Sequence, residues 1–255
     1  VWNAGTRGIQ SFVLHLTVKA APVFLSSDQA TFFAKQAPTF VVRTDGKPAA
    51  ALREIGSLPE GVAFVDNGDG TASFAGKPTQ ASAGKYVVDV LAEGDGFAPV
   101  VQRVTITVKA PPEFVSEDRF EVRAGERISP RVITQGNPDA TLTVTGTLPR
   151  GVSFKDGHDG TGEFSGTPTG TGEYAITISA VNADYPTPVV QHLTLVVQAP
   201  PVFQTPASVS IPVGQTVDVP VRVSGFPVPD IAVDGDLPDG ISFRDSGDGT
   251  AHLYG

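Results

Sequence analysis

The chain has 255 residues, of which 40% are apolar and 18% charged, with 28 glycines and 22 prolines. This composition is typical of globular all-β domains joined by turns. The formal net charge of −9, with acidic and basic residues interspersed, argues against nucleic acid and anionic membrane surfaces as partners. No apolar run is long enough for membrane insertion of this segment. The absence of cysteine excludes disulfides and thiolate metal sites.

The first twenty residues match the last part of a unit that recurs further along the chain. The stretch "LHLTV" aligns with the later "LTLVV", and its apolar residues alternate as in a strand with one buried face. We therefore expect residues 1–20 to form the C-terminal strand or strands of a preceding repeat.

Three related stretches then set the period of the chain. They read "LPEGVAFVDNGDGTASFAG", "LPRGVSFKDGHDGTGEFSG" and "LPDGISFRDSGDGTAHLYG", and they begin at Leu58, Leu148 and Leu237, so the repeat is about 90 residues long. A Gly-x-Pro triplet precedes each leucine, and a proline-rich junction of the type "KAPPEF" recurs in phase. The predicted domains are a repeat over residues 21–110, a second over 111–199, and the N-terminal, incomplete part of a further repeat over 200–255.

Within each repeat the apolar residues alternate with polar ones. Val104, Ile106 and Val108 face one way in "QRVTITVKA", as do Leu193, Leu195 and Val197 in the next repeat. The run over residues 209–223 has β-branched residues at nearly every second position, and its Pro212 and Pro220 suit edge positions. No segment shows a helical stripe. Short strands punctuated by Gly and Pro predict an all-β fold of tandem Ig-like β-sandwich domains in a linear array.

A local pattern favours the Ig-like form of the sandwich. In "AGKYVVDV" and "TGEYAITI" a glycine lies two residues before Tyr86 or Tyr174. An inward aliphatic residue, Val88 or Ile176, lies two residues after it. This arrangement resembles the tyrosine corner of immunoglobulin domains, whose tyrosine hydroxyl bonds to nearby backbone. The aliphatic residue would take the place of the usual core cysteine.

Together, these motifs resemble the "putative Ig" repeats that occur in tandem in large secreted and surface proteins of bacteria. That family is related to the dystroglycan-type cadherin-like domains. The resemblance covers the whole chain, through Gly-x-Pro, the "LP-x-G-[VI]-x-F-x-D-x-x-D-G-T" stretch and "PT … G-x-Y". It implies an extracellular or cell-surface location and a role as spacer, stalk or adhesive module beside other domains.

The aspartates of the repeated stretch have two interpretations. They align as Asp66, Asp156 and Asp245, and as Asp69, Asp159 and Asp248. A calcium loop needs oxygen ligands at alternate positions, but Gly68 and Gly70 occupy these positions after Asp66. We interpret "NGDG", "GHDG" and "SGDG" as hairpin turns whose aspartates cap backbone amides. A weak calcium contact is the alternative, and no other cofactor is expected.

Two functional classes remain open. Because no catalytic motif is present, we expect no enzyme and favour a structural spacer, stalk or filament segment. The rival is an adhesive module that binds a glycan or protein through loops at the end of a domain. The loops at residues 93–100 and 182–189 each carry one aromatic residue flanked by proline, Phe97 or Tyr185. Such a ring stacks on a sugar or, equally, plugs the end of the sandwich.

Residues 1–20 and 200–255 each correspond to part of a sandwich, which would leave strand edges and apolar faces bare. We expect neighbouring Ig-like repeats, from the same chain or from another copy, to complete them.

Overall fold

The computed structural model describes residues 12–255, and within that range every regular element is a β-strand. The chain divides into two compact units, of which the first ends at Lys109 and the second runs Ala110–Gly255. The prediction of an all-β fold is therefore confirmed.

The first unit contains a two-sheet sandwich. One sheet has the strand order β1-β3-β6-β5, and the other consists of β4, β7, β8 and β2, with β2 parallel to β8. The strands are β1 (Ala20–Phe24), β2 (Gln29–Phe33), β3 (Val41–Lys47), β4 (Ala51–Ile55), β5 (Val62–Asp66), β6 (Thr71–Gly76), β7 (Gly84–Glu93) and β8 (Val100–Phe114). Residues of β8 up to Lys109 belong to this unit.

Inward residues of both sheets form one core in the first unit. Val42 and Phe74 come from the first sheet, and Leu52, Val88 and Ile106 come from the second. All five are buried because alternate side chains of each strand face the opposite sheet. The alternation that the sequence shows in β7 and β8 is thus the alternation of the core.

The second unit begins with a sandwich of the same design. Residues of β8 from Ala110 onward pair with β10, in the order β8-β10-β13-β12, and the opposite sheet has β11, β14, β15 and β9, with β9 parallel to β15. The strands are β9 (Arg119–Arg123), β10 (Arg131–Asn137), β11 (Thr141–Gly146), β12 (Val152–Asp156), β13 (Thr161–Gly166), β14 (Gly172–Val181) and β15 (Val189–Phe203).

The third repeat contributes one sheet, in the order β15-β16-β18-β17. Its strands after β15 are β16 (Asp218–Phe226), β17 (Ser242–Asp245) and β18 (Thr250–Tyr254). Val223, Ile231 and Ala251 form a small buried cluster on one face. Phe203, Val209 and Val213 are exposed.

Two strand predictions were wrong. Residues 12–19 form no strand, and their alternating apolar side chains at Phe12, Leu14, Leu16 and Val18 are exposed, because none of the strands between residues 20 and 255 pairs with them. The residues before them, 1–11, lie outside the described range. In the run over residues 209–223, strand begins only at Asp218.

Pro220 lies in β16, which has neighbours on both sides and is not an edge strand as a whole. The pairing of β16 with β15 covers only Val223 to Phe226, however, so at Pro220 β18 is its one neighbour among the strands that the structure describes. The proline therefore occupies a locally unpaired edge, where its missing amide hydrogen costs no ladder bond.

The tyrosine pattern is confirmed in its core part only. Val88 and Ile176 are buried, and Tyr86 and Tyr174 pack partly buried against the two cores. Within residues 12–255 neither tyrosine hydroxyl makes a hydrogen bond, so the predicted bond to nearby backbone was wrong. Each tyrosine ring therefore adds buried apolar area to its core, but its hydroxyl does not tie the adjacent backbone.

One core position differs between repeats in a way that the packing explains. Gly162 lies where the other repeats have Ala72 and Ala251. A Cβ atom at Gly162 would lie 2.2 Å from Cζ of Phe154. The Phe154 ring, whose centroid is 4.9 Å from that of Phe164, therefore fills the space of the missing methyl group.

We predict that Gly162→Ala destabilises the second repeat by about 1–3 kcal/mol, because the added methyl group overpacks the Phe154 ring. Denaturant unfolding of the full chain measures the loss. Adding Phe154→Leu, which shortens the clashing side chain, should recover part of it. A single variant as stable as the native chain would show that the ring does not need this space.

Candidate functional site

The repeated Asp-x-x-Asp-Gly-Thr stretch forms the tight turn of a hairpin in every copy. Antiparallel strands β5 and β6 flank it in the first repeat, β12 and β13 in the second, and β17 and β18 in the third. The hairpin prediction is confirmed. These turns contain the six aspartates that the sequence singles out, so they are the candidate site of this chain.

The glycine of the turn is required by both backbone angle and space. Gly70 has a φ of 83°, and a Cβ atom there would lie 3.2 Å from Oγ1 of Thr44. Its carbonyl oxygen accepts hydrogen bonds from the amide and the hydroxyl of Thr44, at 2.9 and 2.8 Å. Gly160 and Thr134 repeat these two bonds in the second repeat. The turn is thus fastened to the strand beside it.

The second aspartate of each turn binds the threonine that follows the glycine. Oδ1 of Asp69 accepts the amide of Thr71 at 3.0 Å and its hydroxyl at 2.6 Å. Asp159 and Asp248 make the same two bonds, to Thr161 and Thr250. The threonine hydroxyl first, and its amide next, lower the pKa of all three aspartates below the ordinary value.

The first aspartate connects the turn to a distant strand. Oδ1 of Asp66 accepts the amide of Gly68, and its Oδ2 accepts the amide of Leu52 in β4, both at 3.0 Å. Asp245 does the same with Gly247 and Ile231, and the Ile231 amide is the main cause of the lowered pKa of Asp245. In the first repeat one carboxylate therefore holds the turn and the start of β4 in the opposite sheet, and in the third repeat it holds the turn and the segment at Ile231.

The second repeat departs from this arrangement. Oδ1 of Asp156 accepts the amide of His158 at 3.2 Å, but its buried Oδ2 accepts no hydrogen bond. Nδ1 of His158 lies 3.0 Å from this oxygen, an ion-pair contact when the imidazole is protonated. His158 has a φ of 60° at a position where the other repeats have Gly68 and Gly247. The strand anchor is thus missing from this copy.

The calcium alternative is not favoured by these bonds. Oxygens of Asp66 and Asp69 already accept amide and hydroxyl hydrogens, so a cation would have to compete with them. No group of three or more metal-ligating side chains is found among residues 12–255. A calcium contact at the turns stays a prediction.

The two loop aromatics lie in different surroundings. Phe97 is 39% exposed and belongs to a turn in which its amide bonds to the carbonyl of Gly94. Tyr185 is half-buried, and its amide donates to Oδ1 of Asn182 at 2.9 Å. Only Phe97 presents much of its ring to solvent, and a ligand role for either residue stays a prediction.

Asn182 is a residue whose role the sequence did not reveal. Its buried side chain donates to the carbonyl of Ala110 at 3.0 Å and to that of Pro138 at 2.9 Å, and it accepts the amide of Tyr185. One asparagine therefore joins its own loop, the turn that follows β10 and strand β8 at Ala110. The first repeat has Gly94 at the equivalent place, so comparison of the repeats gives no sign of this role.

The fold and the hairpin turns define a protein built of tandem Ig-like domains. Residues 112–198 match the family described as "Putative Ig domain". This match and the fold of the chain confirm the resemblance to an Ig-like repeat family. No curated protein matches the sequence.

Solved structures of similar fold include tandem domains of titin. One titin fragment is 15% identical, with a TM-score of 0.50, over 69% of this chain and 98% of that chain. Titin Ig tandem domains in a second structure are 13% identical, with a TM-score of 0.49, over 71% of this chain and 98% of that chain. At this identity the likeness concerns the fold alone. Among the described residues no helix is long and apolar enough to cross a membrane.

We predict that the three turn aspartates bonded to threonine make the chain sensitive to acid. Because the folded pKa of Asp69, Asp159 and Asp248 lies below the unfolded value of about 3.9, their stabilisation is present above that pH and is lost as the pH falls through the folded value. The triple Asp→Asn variant should therefore lose less unfolding free energy between about pH 5 and pH 2. Urea midpoints across that range measure the slope.

The control removes the same charge at three exposed aspartates outside the turns, Asp139, Asp234 and Asp236. If this control flattens the acid slope as much as the turn variant does, net charge and not the turn accounts for the effect.

Proposed function

We propose that the chain is a segment of a non-catalytic spacer or stalk in a large secreted or surface-displayed bacterial protein, and that its repeats are built to resist tension. The observation that carries this proposal is the parallel pairing of β9, the second strand along the chain of the second sandwich, with its last strand, β15. Five consecutive residue pairs join β9 to β15, from Arg119 with Thr194 to Arg123 with Gln198. The first repeat has the same arrangement, with five pairs between β2 and β8.

Tension along the chain acts on the parallel strands β9 and β15 as a shearing force. Tension on the chain pulls β9 toward its N-terminal end and β15 toward its C-terminal end. Because the two strands run in the same direction, these forces slide one strand past the other. The bonds of a parallel ladder are evenly spaced along both strands, so sliding strains them together and does not open them one by one.

The connection to the next domain favours the same role. β15 leaves the second sandwich at Gln198 and pairs with β16 from Ala199 onward, so one strand serves two successive repeats. A spacer needs such a short connection, because a flexible linker would absorb extension before the domains do. The absence of a catalytic role stays part of the proposal and is supported by the structural use of the turn carboxylates.

We predict that Ala124→Pro lowers the force at which the second repeat unfolds. The amide of Ala124 donates to the carbonyl of Gln198 at 2.8 Å, at the end of the β9–β15 ladder, and proline cannot donate. Loss of one such bond costs about 1 kcal/mol. Single-molecule stretching of the full chain between its termini measures the force.

Ala124→Gly is the matched control, since it changes the same residue but keeps the amide. Equal unfolding forces for the proline and glycine variants would contradict a load-bearing ladder. They would also remove the main support for the spacer proposal.

The adhesive alternative is favoured by one observation, the exposed ring of Phe97. If this loop binds a glycan, the full chain should give specific signals on a glycan array, and Phe97→Ser should abolish them through loss of ring stacking. Signals that persist in the variant, or silence of the native chain across the array, would count against a Phe97 site.

A further inference from the structure

Strand β11 is an edge of its sheet, with β14 as its single neighbour among the described strands. Six consecutive residue pairs, from Thr141 with Val181 to Gly146 with Ile176, join the two strands without a bulge. The strand reads Thr-Leu-Thr-Val-Thr-Gly and contains no charge and no proline. Natural proteins commonly block such an edge, because its free amides and carbonyls pair readily with another strand.

The equivalent edge of the first repeat, β4, carries three protections. Arg53 is exposed and ion-paired with Glu93, with Nε 3.0 Å from Oε1. Glu54 places a charged group at an inward, half-buried position. The carboxylate of Asp66 accepts the hydrogen bond of the Leu52 amide on the side of β4 that faces away from β7. Charges on the edge, inward charges and covered amides each oppose pairing with a further strand.

The second repeat lacks all three protections. By register, Thr143 replaces Arg53 and Val144 replaces Glu54. Asp156 is the counterpart of Asp66, but its Oδ2 accepts no hydrogen bond. The same fold therefore has one protected copy of this edge and one open copy.

The open edge presents a defined set of backbone groups. Leu142 pairs with Ala180 as Leu52 pairs with Ala92, and the Leu52 amide points away from its sheet toward Asp66. By the same register the amides and carbonyls of Leu142 and Val144 point outward from β14. The side chain of Thr143, between them, is exposed.

We propose that β11 pairs with β11 of a second copy of this chain, antiparallel and about a two-fold axis at Thr143. In this register Leu142 of each copy exchanges two backbone hydrogen bonds with Val144 of the other. The two Thr143 residues lie directly opposite each other as a pair that is not hydrogen-bonded through the backbone. An interface of this kind is isologous, so it closes with two copies.

Pairing through β11 avoids the charge repulsion that opposes contact between two copies elsewhere, because the strand carries no charged residue. The chain has a net charge of −9, so two copies repel each other over most of their surfaces. β11 is uncharged, which allows close approach at this edge. Opposed threonines are also a favourable cross-strand pair, whereas two arginines at the position of Arg53 would repel.

Cysteine cross-linking tests the register directly, since the native chain contains no cysteine. Opposite residues in a pair without backbone hydrogen bonds have Cα atoms about 4.5 Å apart, within the range of about 4.4 to 6.8 Å that a disulfide spans. The full chain with Thr143→Cys should form a disulfide-linked dimer in a glutathione redox buffer. Non-reducing electrophoresis and intact mass follow its formation.

Thr187→Cys is the control, because Thr187 is an exposed threonine in a loop of the same repeat. We expect the Thr143→Cys dimer to form at least about tenfold faster, through the higher effective concentration of the paired thiols. Equal rates for the two variants would overturn the proposal.

A second variant separates edge pairing from collision of exposed thiols. Val144→Glu, added to Thr143→Cys, installs the residue that the first repeat carries at this position and should reduce cross-linking to the rate of the control. Near-ultraviolet circular dichroism verifies that the double variant is folded. Unchanged cross-linking in the folded double variant would contradict pairing through β11.

The same assay detects a different occupant. A synthetic peptide with the sequence of β11 and a central cysteine can be offered to the Thr143→Cys chain. If the peptide cross-links while the chain forms no dimer with itself, the edge accepts a foreign extended strand, and self-pairing is wrong.

Discussion

The structure depends on how the tight hairpin turn of a repeat supplies hydrogen-bond partners for its own backbone amides and carbonyls. A hairpin turn at the end of a domain leaves amides and carbonyls without ladder partners, and a side chain that supplies them fixes the turn. Asp66 does this for the turn and also for the amide of Leu52 in the other sheet. Thr44 closes the turn from the neighbouring strand through the carbonyl of Gly70. The two sheets of the sandwich are therefore connected by polar bonds as well as by the apolar core.

Much of this fold follows from the sequence, for physical reasons. Alternation in β7 and β8 predicts the buried face because the side-chain period of a strand is two. The phase of the repeat and the Asp-Gly turns place the hairpins, since few residues adopt a positive φ. The alternation also identifies Val88 and Ile176, each two residues after a tyrosine, as core residues, and both are buried.

The remaining features depend on partners that are distant in sequence. The bond from Leu52 to Asp66 and those of Asn182 join segments whose proximity only the folded chain reveals. Residues 12–19 alternate like a strand but form none, because alternation does not supply a neighbour. The missing anchor at Asp156 is equally invisible in the sequence, which has an aspartate in all three copies. Composition and pattern thus predict the architecture better than they predict its polar connections.

The shared strand β15 also has a thermodynamic consequence. Its first ten residues complete the sheet of the second sandwich, and its last residues are the outermost strand of the next sheet. Unfolding of the second sandwich frees this strand, and the third sheet then loses the ordered start of its own first strand. The two domains therefore hold part of their folding free energy in common, so melting of one lowers the melting temperature of the other.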